Sequence, residues 1–108
     1  MPIANVYKPA WGVHPGEILK EEFLKPLNLT PNRLAKELHV TPPTVNQIVR
    51  KQAGISIEMA ARLAKYFGTT EQFWLNLHDA FTVHEFKQKN AEKLEEIRPR
   101  AMAARAER

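Results

Sequence analysis

Asn46, Gln47, Arg50 and Lys51 bring two side-chain amides and two cations into one short stretch of chain. A carboxamide carries a donor and an acceptor on one plane, which matches the edge of a base. Guanidinium and ammonium groups pair with phosphates, and a guanidinium also matches guanine. Upstream, Asn32, Arg33, Lys36, Thr41 and Thr44 add further polar and basic groups of the kinds that touch a nucleic-acid backbone. Such residues read DNA only if a rigid element presents them on one outward face. The bland alternative is a pair of packed helices with a solvated side.

The elements that would position them are visible in TPNRLAKELHVTPPTVNQIVRK, residues 30–51. Thr30 is a good N-cap, and Pro31 suits a first helical position because its φ is preset and its missing N–H would be unpaired there anyway. Leu34, Ala35 and Leu38 then recur at helical spacing, which predicts a helix over 31–38. Thr41-Pro42 repeats the signal, since a residue before proline is pushed out of the α region as an N-cap must be. A second helix over 42–51 would bury Val45, Ile48 and Val49 and turn Pro43, Thr44, Asn46, Gln47, Arg50 and Lys51 outward. Pro42 and Pro43 remove two N–H donors from its start, which limits main-chain phosphate capture to about Thr44. Ala35 suits a close helix crossing and Val40 plugs the turn. His39 stands where a positive φ is expected. This pattern is a helix-turn-helix.

The chain has 108 residues, 44% hydrophobic and 26% charged, which suits one globular domain with a modest core. Its formal net charge of +4 favours an anionic partner. Arg33, Lys36, Arg50 and Lys51 face only Glu37 within 31–51, so the positive potential is expected on the motif. With no cysteine there is no disulfide and no thiolate chemistry. No apolar run reaches spanning length and the start lacks a signal-peptide pattern, so a cytoplasmic protein is expected. His14, His39, His78 and His84 show no metal-ligand spacing, no cofactor is expected, and no nucleophile or carboxylate pair supports catalysis.

Residues 1–13 read as an extended N-terminal arm. A helix starts at His14-Pro15-Gly16-Glu17 with Ile18, Leu19, Phe23 and Leu24 as its apolar stripe; Pro26 ends it and Asn28 takes a left-handed turn. Ser56 caps a fourth helix with Ala60, Leu63, Ala64 and Phe67 inward, closed by Gly68. A fifth begins after Thr69 or Thr70, Thr69 having the better capping-box partner in Gln72. Phe73, Trp74, Leu77 and Phe81 make its aromatic face, with Trp74 or Phe81 reaching an interface. Residues 82–108 are polar and charged, and the helix is expected to continue to about Ile97 before Pro99. Val83, Phe86, Leu94 and Ile97 form a narrow stripe interrupted by Asn90; either a partner covers this stripe or the tail frays. The final RPRAMAARAER is expected to be mobile.

GVHPGEILKEEFLKPLNLT, RLAKELHVTPPTVNQIV and ARLAKYFGTTEQFWLNL together resemble the HigA-type, VapI-like antitoxins of the lambda-repressor-like (Cro/XRE) helix-turn-helix superfamily. The likeness spans about residues 12–81. It implies an autorepressor that binds a palindromic operator as a homodimer and neutralises a RelE/HigB-like ribonuclease toxin. One departure is local: the superfamily commonly has a phosphate-contacting glutamine where this chain has Pro31, which passes that role to Asn32 and Arg33.

The resulting expectation is an all-α, five-helix DNA-binding domain over 14–81, with its motif at about 31–51 and a helical or partly disordered tail over 82–108. Helix 42–51 enters the major groove and Arg33, Lys36 and Lys51 anchor phosphates. Trp74, Phe81, Val83, Phe86, Leu94 and Ile97 are the candidate protein interface. The alternatives are a stand-alone XRE-family regulator without a toxin and a protein-interaction module that has lost DNA binding.

Overall fold

The computed structural model describes residues 12–100, so most of the expected arm and the end of the tail lie outside the described residues. Among the described residues five helices follow one another and there is no strand. α1 (Pro15–Ile18) runs on into a wider π-helical stretch, Leu19–Leu24. α2 is Pro31–Leu38, α3 Pro42–Val49, α4 Ile57–Phe67 and α5 Glu71–Glu95.

Local chemistry accounts for most of the boundaries. Thr30 Oγ1 accepts from Arg33 N at 3.1 Å, and Ser56 Oγ accepts from Met59 N at 3.1 Å. His39 closes α2 with φ 62°, Asn28 takes φ 55° and Gly68 closes α4 with φ 76°. At α5 the structure decides between the two expected caps, against the one with the better capping-box pattern. Thr70, not Thr69, is the N-cap, its Oγ1 accepting from Phe73 N at 3.0 Å. The Thr69 hydroxyl instead accepts from the indole Nε1 of Trp74 at 2.8 Å. A buried indole N–H without an acceptor would cost more than a slightly poorer cap.

α2 packs on α3 and α4, α1 packs on α3 and α5, and α5 lies along α4. Leu34, Val45, Ile48, Leu63, Trp74 and Leu77 are at most 2% exposed and form the centre of the core. Phe23, Phe67, Phe73 and Trp74 stack into one aromatic cluster, with the Phe23 and Trp74 centroids 5.0 Å apart. Trp74 is therefore a core residue with no exposed surface, which corrects its expected place at an interface. Phe81 is half-buried, its ring edge-on to His14 at 4.9 Å.

α5 ends at Glu95 rather than near Ile97, and Asn90 breaks it with φ −125° and ψ 25°. Asn90 Nδ2 donates to Phe86 O at 2.9 Å, a side-chain bond inside the helix of the kind that bends it. Val83, Phe86 and Ile97 are 50%, 54% and 67% exposed, and Leu94 is half-buried. No helix among the described residues is long and apolar enough to cross a membrane.

Candidate nucleic-acid interface

The face of the motif is built from α3 and the loops at its two ends. Val45 and Ile48 hold α3 to the core while Pro43, Gln47 and Arg50 are exposed, and Thr44, Asn46 and Val49 are half-buried. The helix stops earlier than its sequence suggests: Arg50 is the C-cap and Lys51 turns left-handed with φ 66°. Lys51 N donates to Ile48 O at 3.0 Å, and Gln52 N and Ala53 N both donate to Gln47 O, at 2.7 and 3.2 Å. Those bonds close the carbonyl end of α3 and set the direction in which Arg50 leaves it.

At the other end Thr41 has the extended backbone of an N-cap, but its hydroxyl pairs with Thr44 Oγ1 at 2.9 Å instead of a main-chain N–H. The two prolines leave it few amides to serve. Thr44 N, the donor expected to be open to phosphate, is taken up by Thr41 O at 3.0 Å. Main-chain capture at the start of α3 is thus weaker than expected, and anchoring falls to side chains.

Among the cations only some are unengaged. Arg33 Nε pairs with Glu37 Oε2 at 3.0 Å, and Lys51 Nζ pairs with Glu17 Oε1 at 3.0 Å. Lys51 Nζ, hydrogen-bonded and close in charge, holds the Glu17 carboxyl below its usual range. Both pairs are solvent-exposed, so each is loosely held and open to exchange for a phosphate. Lys36 and Arg50 have no side-chain partner among the described residues. Asn46 Nδ2 donates to Asn32 Oδ1 and to Pro42 O, both at 2.9 Å, joining α2 to α3 across the motif. The side chain of Gln47 is unengaged among the described residues and keeps its full donor and acceptor set.

The structure therefore gathers Asn32, Thr41, Thr44, Asn46, Gln47 and Arg50 around α3, with Arg33 and Lys36 on the exposed side of α2. Lys51 lies apart, drawn to α1 by Glu17. Sequence reasoning missed Glu17 as the carboxylate facing the motif, and no local signal marks it because the partners are joined only by the packing of α1 on α3. Among the described residues no group of three or more His, Asp or Glu side chains is placed to hold a metal ion.

The model of the helix-turn-helix family whose description reads "Helix-turn-helix" matches residues 20–74. Virulence-associated protein I of Dichelobacter nodosus is 50% identical over 76 residues, 70% of this chain and 70% of that protein. Antitoxin HigA-1 of Vibrio cholerae is 31% identical over 84 residues, 78% of this chain and 79% of that protein. The fold of Pseudomonas aeruginosa antitoxin HigA, solved with the higBA promoter, superposes with a TM-score of 0.81 at 45% identity, covering 83% of this chain and 99% of that one. This chain belongs to the HigA-type antitoxins of the helix-turn-helix superfamily. As a HigA-type, VapI-like chain it is a member of a family of DNA-binding transcriptional regulators, not of enzymes.

Proposed function

We propose that this HigA-type protein represses transcription by covering an operator with α3 in the major groove, and that the operator is its own promoter. The observation that carries the reading is the exposed Gln47 and Arg50 pair: an unengaged amide and an unengaged guanidinium, on a helix whose opposite face is locked in the core. Asn32, Arg33, Lys36, Thr41, Thr44 and Asn46 surround it, and Lys51 joins them when it leaves Glu17. Residues 14–81 are the DNA-binding unit. A homodimer would place two copies of α3 in successive major grooves of a palindrome, roughly 34 Å apart. The exposed Val83, Phe86 and Ile97 on and after α5 favour a protein partner as well, and we assign to that side the neutralisation of a RelE/HigB-like ribonuclease toxin in the cytoplasm.

The test is a titration of wild type, Gln47→Ala and Arg50→Ala against the DNA upstream of the gene and against a scrambled duplex. Each lost base contact should cost about 1–3 kcal/mol on the specific duplex and little on the scrambled one, with folding unchanged. Wild-type affinity in both variants would remove α3 from the interface.

A further inference from the structure

On the operator-binding reading above, we propose that Asn32 is a positioning residue for Asn46, and that the pair makes Asn46 an acceptor-only reader selecting bases with an exocyclic amine. A carboxamide nitrogen has two hydrogens. Both of those on Asn46 Nδ2 are committed within the protein, one to Asn32 Oδ1 and one to Pro42 O, each at 2.9 Å. What remains for an incoming base is the carbonyl Oδ1, which has no partner among the described residues. Adenine N6 and cytosine N4 are the major-groove donors; guanine and thymine present acceptors at the equivalent places, oxygen against oxygen. Asn46 therefore favours adenine or cytosine and disfavours guanine or thymine. Its neighbour Gln47 is not restricted in this way, so the two adjacent amides have different jobs.

Asn32 supplies the restriction. The bond to Pro42 O is local and fixes one hydrogen, whereas the bond to Asn32, on the other helix of the motif, fixes the second and with it the plane of the amide. Without Asn32 that hydrogen is released, the amide regains a donor, and guanine or thymine becomes acceptable at the same place. A phosphate-anchoring Asn32 would behave differently, since phosphate contacts carry no base preference.

The experiment selects duplexes with the full-length wild-type chain from a pool randomised over about two half-sites. It then replaces each base pair of the selected duplex in turn, and measures Kd for wild type, Asn46→Ala, Asn32→Ala and Asn32→Asp, with thermal unfolding as the folding control. For wild type, one adenine or cytosine per half-site should resist replacement by guanine or thymine by about fivefold or more. That preference should vanish in Asn46→Ala and fall close to onefold in Asn32→Ala, with the preferences at other positions kept. Asn32→Asp should bind every duplex more weakly because it adds negative charge, yet keep the preference, since a carboxylate oxygen still accepts from Asn46 Nδ2. The proposal is overturned if Asn32→Ala weakens all duplexes alike with its base preferences intact, or if the pair sensitive to Asn46→Ala is read as guanine or thymine. Enrichment of no duplex by wild type would overturn the operator-binding reading itself, and this proposal with it.

Discussion

Gly16, in the first turn of α1, lies against the main-chain carbonyl of Ile48 near the end of α3, so closely that a β-carbon there would overlap the Ile48 oxygen. The contact sets how deeply α1 seats against α3. Helix propensity alone would make Gly16→Ala stabilising by about 1 kcal/mol. Overpacking against a backbone atom costs about 1–3 kcal/mol, because a carbonyl in a helix cannot swing aside as a side chain can. We therefore expect Gly16→Ala to lower the melting temperature and to weaken DNA binding by displacing the end of α3. A melting temperature equal to or above that of wild type would show that α1 seats elsewhere.

The pairing of Lys51 with Glu17 makes a second, opposite prediction for binding. Glu17 competes with phosphate for the Lys51 ammonium, and DNA binding must break or share that exposed pair. Glu17→Gln should raise affinity for specific and scrambled duplexes alike, and increase the dependence of binding on salt by about one further phosphate contact. Stability should respond in the other sense. The Glu17 carboxyl titrates below its ordinary value of 4.5 in the folded chain, so its contribution is present above that value and is lost as pH falls through the depressed one. An unchanged salt slope in Glu17→Gln would mean that Lys51 stays off the DNA.

His14 gives a pH effect in a separate window. Its Nδ1 accepts from Gly16 N at 2.9 Å as the N-cap of α1, and it is buried against Phe81. Burial, followed by the Lys51 ammonium and His78, holds the imidazole below the ordinary histidine value of 6.5, while a hydrogen bond to the Ala53 backbone and the Glu85 carboxylate oppose this. The unfolded chain thus takes up a proton near pH 6.5 and the folded chain only at lower pH. Stability should be fully present above that value and fall as pH drops from it through the depressed one. His14→Asn keeps a good N-cap without a titrating ring, and its melting temperature should vary less between about pH 7.5 and about pH 5.5, about one unit either side of the ordinary histidine value. Equal pH slopes in the two chains would exclude His14 as the source.

The caps and prolines made the motif legible because they act within a few residues: Thr30-Pro31 and Thr41-Pro42 start helices where expected, and His39 takes the left-handed turn. What escaped depends on how the backbone closes and how the helices pack, whether the partners are near in the chain or far apart. Lys51 reads as the last residue of α3, but its φ of 66° belongs to the closure that carries Gln52 and Ala53 back to Gln47 O. Thr69 has the better capping-box pattern, yet the buried indole of Trp74 claims its hydroxyl. The link from Asn46 to Asn32 spans two helices and follows from the way they cross, which residue types do not specify.

The final prediction concerns the outer part of α5. Phe73, Trp74 and Leu77 already close the core, and beyond them Val83 and Phe86 are half exposed or more, with Ile97 further out still. The break at Asn90 divides this apolar surface, so residues on its two sides do not lie along one straight helix. Burying a side chain of this size contributes about 1.5–3 kcal/mol, enough that two or three of them matter to an association. Because Val83 and Phe86 contribute little to the core, Val83→Asp and Phe86→Asp should leave the melting temperature nearly unchanged. If this surface holds a second copy, both variants should sediment as lighter species and lose operator affinity through lost avidity. If it holds the toxin instead, sedimentation of the antitoxin alone stays as in wild type and only the complex is weakened. Wild-type mass, toxin capture and operator affinity in both variants would show that this end of α5 is a solvated helix and that the interface lies elsewhere.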